Sequence, residues 1–200
     1  MKMRSPHVFG QNWLRVALGL TLVALLFVAA CDLLDLIDEF EPTGIPFNLD
    51  PDIEVISITG SKRNFSDSGQ VTIDFKARSR NSGTEDDILP GGLFLTSGLE
   101  RVQHVILLKS HRLEVGPEAT LRVVGTFCCN ERDRTPDDGD TLQLGPITDN
   151  SDLQDLVDLV RDRDISRNLG LVERAVYMVT DSTGLTQAYR DSISRLPPEG

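Results

Sequence analysis

The sequence has few of the side chains that most often build catalytic and ligand-binding sites. Its 200 residues include one tryptophan, two tyrosines, three histidines and three cysteines. The tryptophan, Trp13, lies close to the N-terminus, so aromatic platforms for sugars or single-stranded nucleic acid are poorly supplied. The sequence also contains neither the Gly-x-Ser-x-Gly elbow of serine hydrolases nor a glycine-rich phosphate-binding loop. No catalytic motif therefore assigns a reaction.

Basic residues are scarce and unevenly placed. Three of the 20 Lys and Arg residues precede residue 31, whereas all 31 Asp and Glu residues follow it. The chain from residue 31 onward therefore has 17 basic and 31 acidic residues, a formal charge of −14. Such a surface is repelled by nucleic acid, so no nucleic-acid partner is expected. The acidity does not by itself indicate a function, because solubility or a saline habitat would also account for it.

The first 30 residues have the order of a secretory signal. Lys2, Arg4 and Arg15 precede an uncharged, mostly apolar run over residues 16–30, and small residues then precede Cys31. This layout resembles the signal peptide and lipobox of bacterial lipoproteins. The resemblance implies cleavage after residue 30 and a lipid on Cys31, with palmitate among its acyl chains, that holds the protein to a membrane of the cell envelope. An uncleaved anchor is the alternative, and it too would export the rest of the chain.

The exported part is predicted to be α+β. Prolines and glycines mark residues 31–52 as the lipidated N-terminus and a linker. Residues 53–148 contain short alternating segments, such as residues 71–78, that are typical of half-buried strands. Helical periodicity follows over residues 149–200. We therefore expect a small antiparallel β-sandwich-like body and a helical C-terminal portion that packs on it.

A hairpin and three helices can be predicted more closely. Residues 101–115 and 119–128 flank a Gly-Pro-Glu turn and indicate one antiparallel hairpin. Ser151 and Gln154 have the spacing of a capping box and predict the start of the first helix. The predicted helices centre on residues 153–160, 172–179 and 185–196. The second contains β-branched residues, which leave a strand possible there.

Cys128 and Cys129 are adjacent in a predicted strand. Neighbouring side chains of a strand point to opposite faces, so the pattern favours one buried and one partly exposed thiol. A strained vicinal disulfide or a reactive thiol is the alternative. Two cysteines without clustered histidines do not complete a zinc site, and no cofactor is predicted.

The segment around these cysteines also carries a family resemblance. Residues 127–130 (Phe-Cys-Cys-Asn) and 172–177 (Val-Glu-Arg-Ala-Val-Tyr) resemble the two halves of bacterial surface thioester domains. In that family a cysteine is bonded to the glutamine of a Thr-Gln-x-Ala-Ile-Trp motif. Glu173 stands where the family has glutamine, and a carboxylate cannot release ammonia. The resemblance therefore implies a shared fold without the thioester bond.

The remaining candidates are two histidines and an acidic loop. His104 and His111 are expected on opposite faces of one strand, too far apart to share a metal. The loop around Gly139 supplies oxygen ligands of the kind that calcium takes, although its spacing differs from Asp-x-Asp-x-Asp-Gly. A solvated acidic loop is the preferred interpretation. The weak calcium candidates are Asp137, Asp138 and Asp140. The same loop also contains Asp133.

We therefore predict a non-enzymatic, lipid-anchored binding or interaction module of the bacterial envelope. The membrane is its partner through the lipid on Cys31, and an envelope protein or surface ligand is the expected binding partner. One alternative is thioester-like or redox chemistry at Cys128 or Cys129. Another is calcium-dependent adhesion through the acidic loop.

Overall fold

The computed structural model describes residues 40–61, 66–131, 133–181 and 183–200. The predicted signal peptide and Cys31 lie outside the described residues. Within these ranges no helix has both the length and the apolar character needed to cross a membrane.

Strands precede helices along the described part of the chain, which confirms the α+β prediction. The strands are β1 (Gly44–Pro46), β2 (Ile53–Gly60), β3 (Val71–Ser79), β4 (Glu85–Leu89), β5 (Leu93–Ser97), β6 (Val105–Ile106), β7 (His111–Val115), β8 (Thr120–Cys128) and β9 (Leu142–Thr148). The helices are α1 (Ser151–Val160), α2 (Leu169–Thr180) and α3 (Gln187–Ser194). All three occupy the predicted places, and α2 is helical rather than a strand.

Seven of the strands form one antiparallel sheet in the order β1-β9-β5-β6-β8-β3-β2. Strands β4 and β7 form a separate antiparallel pair. The large sheet bends until β2 approaches the start of β9, where Thr59 bridges Thr141. The Gly60 N–H donates to the Asp140 carbonyl at 3.1 Å beside this bridge.

Alternating side chains of the central strands supply two hydrophobic cores. One, the sheet core, is formed mostly within the β body. The other, the helix core, is shared with α1, α2 and α3. The central strands send Leu93, Leu95, Val105 and Cys128 into the sheet core and Phe94, Ile106 and Phe127 into the helix core. Cys129, the residue after β8, also enters the helix core. The period of two along each strand therefore joins the helices to the sheet.

The predicted hairpin over residues 101–115 and 119–128 is wrong. Strand β6 ends at Ile106 and pairs with β5 and β8, whereas β7 pairs with β4. Leu107 and Leu108 enter different cores, and the chain then leaves the sheet. The Gly91 N–H donates to Ser110 Oγ at 3.1 Å at this departure. Apolar residues alternate both before and after the point where the chain leaves the sheet, so the sequence pattern did not separate the two strands.

Part of the segment predicted as linker forms an edge strand. Gly44 pairs with Thr148 at one end of β1, and Pro46 pairs with Pro146 at the other. A Cβ atom on Gly44 would lie 1.8 Å from the Ile147 carbonyl oxygen, and φ there is 151°. Glycine is therefore required by this close approach, and proline is tolerated because the strand lies at the sheet edge.

The cap of the first helix lies one residue earlier than predicted. Asn150, rather than Ser151, is the N-cap, and its Oδ1 accepts from the backbone N–H groups of Asp152 and Leu153 at 3.0 and 3.2 Å. Gln154 does not complete a capping box, because its Nε2 donates to the Thr148 carbonyl at 3.0 Å. Asparagine and serine are near-equal caps, so the sequence could not separate them.

Candidate functional site

Strand β8, helix α2 and the loop after β8 meet around the Cys128 side chain. The Cys128 Sγ lies 3.8 Å from Thr135 Oγ1. The Tyr177 hydroxyl, from α2, lies near enough to the same thiol to affect its pKa. Tyr177 Oη also donates to Glu173 Oε1 at 3.4 Å, one helical turn away. Together these groups form a polar cluster that runs from a loop hydroxyl to a helix carboxylate.

Burial decides the protonation state of the central thiol. It raises the pKa of Cys128 to about 12. The hydrogen bond between the thiol and Thr135 opposes this rise in pKa, as does the nearby Tyr177 hydroxyl, and the Glu173 charge adds to the rise. At neutral pH the thiolate fraction is on the order of 10⁻⁵, and the thiolate is the nucleophilic form. The site therefore holds a protonated sulfhydryl.

The pKa values of the two α2 residues in this cluster are also shifted in favour of the neutral forms. Burial raises the pKa of Glu173, with a further rise from the Glu131 charge and an opposing hydrogen bond from Tyr177. Burial also raises the pKa of the Tyr177 hydroxyl, aided by Cys128 and Glu173. Tyr177 consequently remains a hydrogen-bond donor at physiological pH.

The cysteine neighbours point to opposite faces of β8, as predicted. Cys128 lies in the sheet core and Cys129 in the helix core. Both are free thiols, with 0% and 1% exposure. The expectation of one partly exposed thiol is wrong because the helices cover the face that carries Cys129. Burial, with a contribution from Cys128, raises the pKa of Cys129 well above its ordinary value.

The two segments compared with surface thioester domains lie close together. Glu173 is near enough to Cys128 for its charge to raise the pKa of the thiol. Glu173 is half-buried and accepts a hydrogen bond from Tyr177, whereas the thiol donates to Thr135. These hydrogen bonds are suited to a structural role, in which the polar side chains stabilise the packing of α2 against β8.

The acidic loop is organised by an arginine. Arg134 binds Asp140 through both terminal guanidinium nitrogens, with 2.7 Å between Nη2 and Oδ1. The Asp137 N–H also donates to Asp140 Oδ2 at 2.7 Å. The Arg134 hydrogen bond is the main cause of a lowered Asp140 pKa, and it raises the pKa of Arg134 itself. Asp140 is thus committed to an internal ion pair.

The other calcium candidates do not join Asp140 in a ligand set. Asp137 Oδ1 accepts from the Asp138 N–H at 2.7 Å, and Asp133 Oδ2 accepts from Asn130 Nδ2 at 2.8 Å. Within the described ranges, no three His, Cys, Asp or Glu side chains are placed to hold a metal ion.

The histidines do not share a strand, contrary to prediction. His104 precedes β6, where its Nδ1 accepts from the Ser97 N–H at 3.0 Å. His111 is the first residue of β7. Burial lowers the pKa of His111, and the charge of Lys109 lowers it further against an opposing contact with the Gly125 backbone.

Sequence reasoning missed the part of Tyr177 and Thr135 in the cysteine site. The four-residue spacing of Glu173 and Tyr177 is a helical signal for their contact. No local pattern links either residue to Cys128, because that contact depends on how α2 packs against β8.

Comparison of the chain with protein-family models, curated proteins and solved structures found no match. The function is therefore argued from the residues and their arrangement.

Proposed function

We propose that this protein is a lipid-anchored component of the bacterial cell envelope whose body is a non-enzymatic binding module. The signal-like order of residues 1–30 and the cysteine at position 31 support the anchor. The β-rich body and the C-terminal helices, which share two hydrophobic cores, support a folded module. The burial of the Cys128 thiol is the observation that favours binding over covalent chemistry.

A catalytic cysteine needs a thiolate that a substrate can reach. Cys128 has 0% exposure and a pKa raised to about 12, so it meets neither condition. Thr135 accepts a hydrogen bond from the thiol inside the protein. This environment supports a structural role for the cysteine.

The finer proposal for the body is a β-sandwich-like arrangement. The β4–β7 pair contributes Leu89, Leu113 and Val115 to the sheet core. The large sheet contributes Ile73 and Phe75 to the same core. Apolar side chains from two separately paired groups of strands thus share one interior, as in a packed pair of sheets.

The anchor is tested by the intact mass of protein extracted from membranes of a producing bacterium. The expected mass lacks residues 1–30 and includes acyl chains on Cys31. A matched Cys31→Ser variant is expected to carry no lipid. An unprocessed, unlipidated wild-type protein in the membrane fraction would contradict the proposal.

The same mass spectra test covalent chemistry at the other cysteines. Protein with two titratable thiols is expected, since Cys128 and Cys129 are free. A mass about 2 Da lower would report a disulfide and favour the redox alternative. Turnover of an ester, peptide or glycan that one point mutation abolishes would overturn the non-enzymatic assignment.

A thermal scan tests the calcium alternative. Because Arg134 already occupies Asp140, calcium at millimolar concentration is expected to leave Tm unchanged, as is magnesium. A calcium-specific rise in Tm would favour the adhesion alternative, since a ligand of the native state stabilises it.

A further inference from the structure

A cavity of about 360 Å³ lies beside the connection between β6 and β7. Its lining includes the end of α1 and the segment that follows α3. The polar lining residues are Ser68, Lys109, Ser110, His111, Arg161 and Glu199. This concentration of cations and hydrogen-bond donors is unusual in a chain with a net charge of −11.

Lys109 is the buried cation of the cavity. Its Nζ lies 2.7 Å from Glu199 Oε2, and its side chain is 10% exposed whereas that of Glu199 is 60% exposed. A buried ammonium group requires an anionic or strongly accepting partner. The Lys109 side chain is therefore a fixed, buried part of the cavity wall, and the Glu199 carboxylate contacts it from the solvent side.

Other groups around Lys109 suit the same ligand chemistry. Ser110 Oγ accepts from the Gly91 N–H at 3.1 Å, which leaves its hydroxyl hydrogen to donate. His111 Nε2 is buried without a well-formed hydrogen bond to the described part of the chain. Arg161 adds a second positive charge, although it also pairs with the exposed Asp158. Asp164 also lies near Lys109: hydrogen bonds from Ser166 are the main cause of its lowered pKa, and the charge of Lys109 adds a smaller lowering.

Backbone contacts with residues 162–164 hold residues 197–199, and with them the Glu199 carboxylate, at the cavity. The Asp164 N–H donates to the Pro197 carbonyl at 2.8 Å, and the Glu199 N–H donates to the Asp162 carbonyl at 2.9 Å. An isolated bridge between Arg163 and Pro198 lies between these bonds. Residues 197–199 thus hold the Glu199 side chain beside Lys109 through backbone contacts that do not require the carboxylate.

We propose that this cavity is a carboxylate-binding site and that Glu199 is an internal occupant which a carboxylate ligand displaces. The inference rests on the proposed binding function and names the chemical class of its ligand. The ligand carboxylate replaces Glu199 at Lys109 Nζ and gains the Ser110 hydroxyl and the Arg161 charge. A tethered competitor acts at high effective concentration, so Glu199 keeps the affinity of the native site low.

Nuclear magnetic resonance of the His111 imidazole reports occupancy of the cavity, with the mature protein in detergent micelles and glutarate as the probe. In Glu199→Gln these backbone contacts remain but the competing charge is lost. Glutarate is expected to bind this variant at least about tenfold more tightly than the wild type. Glu118→Gln, on an exposed turn, is the matched control and should bind like the wild type.

Two further comparisons identify the interaction as ionic. Lys109→Met in the Glu199→Gln background keeps an apolar side chain in place of the buried stem and should abolish binding. Should that double variant fail to fold, the neutral analogue glutaramide provides the test, because it should not bind Glu199→Gln. Equal binding of glutarate to wild type and Glu199→Gln, or binding of glutaramide, would overturn the inference.

The source of the carboxylate is distinguished by a peptide probe. Acetyl-Pro-Pro-Glu-Gly-amide copies residues 197–200, and its glutamine counterpart is the control. Tighter binding of the glutamate peptide than of glutarate would indicate an acidic peptide partner, and the reverse a small carboxylate. A processed, lipidated protein that binds neither probe would end this inference and leave the proposed anchor intact.

Discussion

Cys128 and Cys129 are neighbours in the chain, but their side chains lie in two different hydrophobic cores. Cys128 contributes to the sheet core and Cys129 to the helix core. The polypeptide at the end of β8 is therefore the place where the β body and the helices share a strand. Substitutions at these two positions examine the two cores separately.

Replacing each cysteine with alanine should reduce the free energy of unfolding by about 1 kcal/mol, because a buried sulfur atom is lost. Serine should cost more than alanine at position 129, where the helix core is apolar. Serine should cost less at position 128 than at position 129, because Thr135 can accept a hydrogen bond from its hydroxyl. Urea denaturation measures all four variants. Equal serine penalties at both positions would contradict the different environments.

Both thiols should be unreactive in the native protein. A thiol reagent at pH 8 is expected to label Cys128 and Cys129 only as fast as the protein opens, because both are buried with raised pKa values. Labelling in denaturant should be complete. Rapid modification of one cysteine under native conditions would show that its core is open to solvent.

Glu173→Gln should stabilise the protein at neutral pH and have little effect in acid. Since the folded pKa of Glu173 lies above its unfolded value, its contribution to stability is present below the unfolded pKa and is lost as pH rises through the folded pKa. The advantage of glutamine should therefore grow as pH rises from 4 toward 7. Denaturation midpoints across that range measure it.

Glu118→Gln is the control for this pH series, because Glu118 is exposed on a turn. Its difference from the wild type should stay nearly constant. A Glu173→Gln effect that is equally flat would show that the carboxyl group is not strained in the folded state.

Asp140→Asn should have the opposite pH profile. The Asp140 pKa is lowered in the folded state, so its stabilisation is present above the unfolded value of 3.8 and is lost as pH falls through the folded pKa. The variant should be less stable than wild type at pH 7, and the difference should vanish in strong acid. Asp67→Asn, at an exposed turn, is the control. Persistence of the full difference at the lowest pH would contradict the Arg134 ion pair as its cause.

The start of α1 can be located by a pair of alanine substitutions. Asn150→Ala removes the acceptor of two backbone N–H groups and should cost about 1 kcal/mol of stability. Ser151→Ala, the position predicted from sequence, should cost much less because Ser151 is already inside the helix. Thermal unfolding distinguishes them, and a larger loss at Ser151 would place the cap where the sequence pattern did.

Local spacing carried much of the fold prediction. Alternation along residues 71–78 identified β3, and the three-to-four spacing of apolar residues identified α1, α2 and α3. The same alternation assigned Cys128 and Cys129 to opposite faces. It failed over residues 101–115, because a strand pattern does not identify the partner strand and β7 pairs with β4.

The candidate sites depended on contacts between distant segments. The polar cluster around Cys128 combines side chains from a loop, a strand and a helix: Thr135, Cys128, Tyr177 and Glu173. Lys109 and Glu199 meet because residues 197–199 pair with residues 162–164. Neither the cluster around Cys128 nor the Lys109–Glu199 pair can be recognised from residue spacing or composition, since both depend on how the elements pack.

The sequence by itself determined the order of strands and helices, the opposite faces of the cysteine pair and the strong negative charge, because these follow from local periodicity and composition. The tertiary structure decided which strands pair, that both thiols are buried, that Arg134 holds Asp140, and that Glu199 lies beside Lys109. Burial and pairing depend on residues far apart in the chain, and only packing brings those residues together.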